Sequence, residues 1–89
     1  MYIHLGQDTV VKKKDIIGIF DLDTATVSKR TRDYLAKAEK AGNVINVSTE
    51  LPKSFIVVQK EGKQIIYISQ ISSATLLKRS IAGIEYSLN

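Results

Sequence analysis

Cysteine is absent from this chain, and histidine, proline and methionine occur once each. Without cysteine there are no disulfides, no thiol catalysis and no thiolate metal sites. A lone His4 cannot build a histidine metal site either. No stretch approaches the roughly 18 consecutive apolar residues that would span a bilayer. The segment Met1-Tyr2-Ile3-His4-Leu5-Gly6 lacks the basic region and long apolar region of a secretory signal. Low-complexity tracts, internal repeats and linker-like stretches are also missing. These absences predict a soluble, cytoplasmic chain with no membrane association and no cofactor.

What is present is a chain of 89 residues with 13 basic and 9 acidic side chains, a net charge of +4. That length predicts one domain spanning residues 1–89, with a single thin core. The positive excess is modest. It permits a polyanionic partner without requiring one.

The apolar pattern alternates between strand and helix periods. Tyr2–Leu5 reads as a short strand closed by a turn over Gly6-Gln7-Asp8, with Thr9–Val11 as a second arm. Lys12-Lys13-Lys14 reads as a solvated charge run at an edge or turn. Asp15–Asp21 has four large apolar residues within five positions, and Gly18 inside it suggests a bulge or a close backbone neighbour. Thr24 or Thr26 then caps a helix to about Ala41, with Val27, Thr31, Tyr34, Leu35 and Ala38 on its inner face. Gly42 is a natural stop. Val44–Val47 is the next strand, and a polar loop over Ser48–Lys53 holds the single proline. Phe55–Gln59 and Gln64–Ser69 form a hairpin across Lys60-Glu61-Gly62-Lys63. Ser72-Ser73 break the last strand with two good N-cap residues. After them Ala74, Leu77, Ile81 and Ile84 recur at helical spacing, which puts Lys78 and Arg79 on the outer face. The expected fold is α+β: a small, mostly antiparallel sheet of about five strands with two helices. Two helices cover one sheet face. The aliphatic surplus on the other predicts a homo-oligomer.

Catalytic chemistry does not assemble from these residues. Asp21 and Asp23 read as turn and helix-start carboxylates, because neither a third acidic ligand nor a Gly-rich phosphate loop accompanies them. Ser72-Ser73 with Lys78 lack an oxyanion motif and a partner histidine, so capping explains them. His4 reads as a structural or interface histidine. The expectation is a non-enzyme. Basic groups remain: Lys29, Arg32, Lys37 and Lys40 on the first helix, Lys78 and Arg79 on the second, and Lys12–Lys14, Lys53, Lys60 and Lys63 in loops. Tyr34 and Tyr67 read as buried, which leaves few aromatics to stack single-stranded bases and favours contact with duplex backbone.

Four segments together carry a resemblance. Met1–Gly6, Asp15–Asp21, Pro52-Lys53-Ser54-Phe55-Ile56-Val57-Val58, and Tyr67 through Ser72-Ser73-Ala74-Thr75-Leu76-Leu77-Lys78-Arg79 resemble the RemA/RemB family of extracellular matrix regulatory proteins. They do so in order and over nearly the whole chain. The resemblance implies a small cytoplasmic protein of Gram-positive bacteria. Its RemA-type relatives are DNA-binding activators of biofilm-matrix operons that close into rings, with DNA along a basic outer rim. Those relatives carry an arginine cluster in the loop before the strand corresponding to Phe55–Gln59. Here that loop is Glu50-Leu51-Pro52-Lys53-Ser54, with Lys53 its single basic residue. The candidate DNA-binding residues are therefore Lys29, Arg32, Lys53, Lys78 and Arg79, on a ring or other homo-oligomer that binds duplex DNA. The alternative is an oligomeric adaptor without DNA affinity, which binds a protein partner or a RemA-like protein.

Overall fold

The computed structural model describes the backbone of residues 1–88 and the side chains as far as Ser80. Its elements are β1 (Tyr2–Gly6), β2 (Thr9–Lys12), a 3-10 turn (Lys13–Asp15), β3 (Ile16–Asp21), α1 (Leu22–Ala25), α2 (Lys29–Lys40), β4 (Val44–Asn46), β5 (Ser54–Lys60), β6 (Lys63–Ser69) and α3 (Ser73–Leu88). The architecture is α+β, with three helices. The strands divide between a β1-β2 hairpin and a four-stranded sheet of order β3-β5-β6-β4. All pairings are antiparallel except β4 with β6.

That one parallel pair follows from the helices. β3 and β4 lie at opposite edges of the larger sheet and run the same way, so the chain between them must cross a sheet face. α2 makes that crossing. Its twelve residues rise about 18 Å, enough to span three interstrand gaps of about 4.8 Å each. Gly42, at φ +78°, then stops the helix. Its N–H donates to the Glu39 carbonyl at 3.0 Å, and the Asn43 N–H donates to Ala38 at 2.9 Å. This is the left-handed C-terminal motif the glycine predicted.

Successive residues of β5 point to opposite faces, and both faces are covered. Phe55 and Val57 pack with Ile66, Leu22, Ala25, Leu35 and Ala38, beneath α1 and α2. Ile56 and Val58 pack with Ile3, Leu5, Val11, Val47 and Leu76, beneath the β1-β2 hairpin and α3. The bare aliphatic face expected from the sequence therefore does not exist. The first two strands form a lid of their own rather than joining the main sheet, and with α3 they bury that surplus within the chain.

Local chemistry sets the element boundaries. The predicted long helix is two helices. Asp21 accepts from the Thr24 N–H at 3.0 Å and starts α1. The chain then turns, and α2 begins after Ser28. Val27, in the turn, is 78% exposed rather than core. Ser72 accepts from the Thr75 N–H at 3.2 Å and starts α3, as its residue type suggested. The rotation of α3 differs from the predicted one. Leu76 is fully buried, while Ala74 and Leu77 face outward. Anchorage of the residues just before α3 fixes which side of the helix meets the core. The side chains of Ile81 and Ile84 lie outside the described ones. At the β5-β6 turn Glu61 and Gly62 both have positive φ, 52° and 78°, the backbone a tight two-residue hairpin requires.

Two serines tie the lid and α3 to the sheet. Ser54 and Ser69 are fully buried. The Ser69 hydroxyl donates to the Leu5 carbonyl at 2.6 Å and accepts from the Ile71 N–H at 3.0 Å. The Ser54 hydroxyl donates to the Ile71 carbonyl at 2.7 Å. Ser69→Ala takes the hydroxyl partner from the buried Leu5 carbonyl and the part-buried Ile71 N–H, a loss of about 2–3 kcal/mol. Thermal denaturation should show a drop of about 10 °C or more. At Gly18 a Cβ would come within 2.6 Å of two Phe20 ring carbons, and that ring stacks on Phe55 with centroids 4.9 Å apart. Gly18→Val should displace the ring and destabilise the protein by about 1–3 kcal/mol in chemical denaturation.

Candidate nucleic-acid interface

The five candidate cations do not converge on one patch. Lys29 and Arg32 stand on α2, on the face bearing Phe55 and Val57. Lys78 and Arg79 stand on α3, on the face bearing Ile56 and Val58. Lys53 lies at the seam between them. Its N–H donates to the Ser69 carbonyl at 2.8 Å and its own carbonyl accepts from Leu22 N–H at 3.0 Å. All five side chains are exposed.

Several of these charges are engaged within the chain. Lys29 pairs with Asp33 at 3.1 Å across one helical turn. Arg32 donates through Nη1 to the carbonyls of Thr26 at 2.7 Å and Val27 at 3.0 Å. It therefore caps the end of α1 and holds the turn between the two helices. Arg79 donates to the His4 carbonyl at 2.9 Å and fastens α3 to β1. Lys13 reaches the Ser80 carbonyl at 3.3 Å, so this member of the Lys12–Lys14 run belongs to the lid-to-helix seam, while Lys14 is exposed. His4 Nε2 donates to the carbonyl of Gln7 and is occupied in its own turn. Among the described residues, Lys53 and Lys78 carry no side-chain hydrogen bond or ion pair. They are the candidates most available to a phosphate.

Sequence reasoning missed one part of the surface. Tyr34, expected in the core, is 38% exposed, and Phe20 is 42% exposed. The Tyr34 hydroxyl on α2 donates to Gln64 Oε1 on β6 at 2.6 Å. With Ile17, Phe55, Val57 and Arg30 these residues line an open groove of about 380 Å³ between α2 and β3. Arg30 had no assigned role in the sequence. The signal was its helical spacing: positions 30, 34 and 37 share one side of a helix. Tyr67 is half-buried.

Among the described residues there is no group of three or more His, Cys, Asp or Glu that could hold a metal ion. No helix there is long and apolar enough to cross a membrane.

This chain belongs to the RemA-like family, described as extracellular matrix regulatory protein A-like, whose pattern matches residues 2–79. It is similar to extracellular matrix regulatory protein B of Bacillus subtilis (strain 168), with 42% identity over 80 residues, covering 90% of each chain. The resemblance read from the four sequence segments is thereby borne out. The match ends at Arg79, the residue that binds α3 to β1.

The hydrogen-bonding pattern separates structural cations from free ones. Arg32→Ala or Arg79→Ala should lower the melting temperature by a few degrees, because each removes an exposed charge-assisted bond worth about 1 kcal/mol or less. Lys53→Ala and Lys78→Ala should stay within about 0.5 kcal/mol of the parent. Differential scanning fluorimetry of the four variants checks this directly.

Proposed function

We propose that this protein is a non-enzymatic, cytoplasmic regulator of extracellular matrix genes that contacts duplex DNA backbone as a homo-oligomer. The observation that carries the reading is family membership across 90% of the chain. The net charge of +4 supports it, since a small positive excess gains weight when repeated across an assembly. The free cations Lys53 and Lys78 would make the phosphate contacts. Arg32, Lys29 and Arg79 would add field rather than direct grip, because their side chains already serve the fold.

A second reading is favoured by the Ser48–Lys53 loop. It carries Glu50 and Leu51, the latter 81% exposed, a surface better suited to protein than to phosphate. On this reading the chain is an oligomeric adaptor with no DNA affinity of its own.

Binding of labelled duplex across a salt series tests the primary reading. Affinity should fall steeply with salt. The charge reversals Lys53→Glu and Lys78→Glu should each flatten the logarithmic slope by about 0.9 per lost phosphate contact. An unchanged slope in both variants removes these lysines from the interface. Absence of parent binding at low salt, with a protein partner retained from nuclease-treated lysate, transfers the assignment to the adaptor.

A further inference from the structure

The groove between α2 and β3 has an apolar floor and a basic rim. Ile17, displaced outward where the β3-β5 register shifts between Ile16 and Gly18, is 55% exposed. Phe20 lies beside it on the buried Phe55. Arg30 stands at the rim, and the adjoining depression on α2 adds Lys37 and Lys40. The carboxylate in that neighbourhood, Asp33, is held by Lys29 at 3.1 Å. The groove therefore fits an apolar side chain with a carboxylate next to it.

This chain carries such a feature elsewhere. The loop after β4 displays Glu50 beside Leu51, which is 81% exposed. Both ends of the loop are fastened to β6: the Val47 N–H donates to the Ile68 carbonyl at 2.9 Å, and the Lys53 N–H to Ser69 at 2.8 Å. Inside it, the Glu50 N–H donates to Ser48 Oγ at 3.0 Å, and Pro52 restricts the backbone further. A knob held this way loses little conformational freedom on docking. None of residues 48–53 lines the groove of its own chain. A Leu51 that fills this groove therefore comes from another copy.

We propose that Leu51 of one copy inserts into the Ile17–Phe20–Tyr34 groove of a second copy, with Glu50 facing Arg30 and Lys37 at the rim. The contact is head to tail, since donor and acceptor surfaces differ, and it repeats until it closes into a ring or extends. This rests on the homo-oligomer reading above and names the surface through which it operates.

Sedimentation velocity of the full chain with complementary variants tests it. Leu51→Asp disables the knob, and Ile17→Asp disables the groove. Both sites are exposed, and circular dichroism confirms that the variants fold. Each variant alone should associate at least about tenfold more weakly than the parent. An equimolar mixture should pair, because one intact knob meets one intact groove, and should stop at the heterodimer. Glu50→Arg should weaken assembly about threefold, with recovery when mixed with Arg30→Glu. Variants that assemble like the parent overturn this docking while leaving the homo-oligomer intact. Variants that are each monomeric and fail to pair when mixed show that Leu51 and the groove do not meet each other, and also overturn it. A monomeric parent removes both the docking and the oligomer.

Discussion

Strand β5 is buried from Ser54 to Val58 and hydrogen-bonded to β3 on one edge and β6 on the other. Its apolar side chains fall on both faces, Phe55 and Val57 on one and Ile56 and Val58 on the other, so each face needs a cover. The helical crossover from β3 to β4 supplies one. The β1-β2 hairpin with α3 supplies the other. In a chain of 89 residues this leaves two thin apolar clusters rather than one thick core. Small polar anchors then matter more than they would in a larger protein. Ser69 joins β1, β6 and the approach to α3 through a single hydroxyl. Removing it would loosen three elements together.

Charge in this molecule divides by what each group already does. Arg32 closes the carbonyl end of α1, Arg79 ties α3 to β1, and Lys13 reaches the backbone of α3. Guanidinium groups suit such work because they present several fixed donors. The flexible lysines Lys53 and Lys78 are left for solvent or a partner. A modest net charge thus conceals a sharper distinction. Four cations, Lys13, Lys29, Arg32 and Arg79, are cross-links of the fold, and the others are available to recognise something outside it. The available set lies on more than one face, so a continuous basic track would arise only from the repetition of copies.

Much of this was legible from residue order. The strands at Tyr2–Leu5 and Phe55–Gln59, the hairpin turn at Glu61-Gly62, the stop at Gly42, the bulge at Gly18 and the cap before α3 all depend on backbone preferences that act within a few residues. The four family segments overlap several of these features: they include the Gly18 bulge, the cap before α3 and strand cores. Less legible were the division of the first helix at Val27-Ser28, the rotation of α3 and the exposure of Tyr34. In each case the local sequence was compatible with either outcome. Val27 and Tyr34 sit at helical spacing with true core residues, and periodicity alone does not say where the buried stripe ends.

The α+β class, most element types and the absence of thiol chemistry follow from composition and short-range pattern, and membership of a regulatory family showed in the resemblance of whole segments to known relatives. Tertiary structure alone decided which cations are free, that both faces of the sheet are covered, and that Arg30, Tyr34, Phe20 and Ile17 share a groove. Those residues span positions 17 to 34 and come from a strand and a helix, which only the crossover brings side by side. The same holds for Arg79 and His4, 75 positions apart in the chain and joined by one hydrogen bond. A contact between distant residues depends on how whole elements pack, and no local preference encodes it.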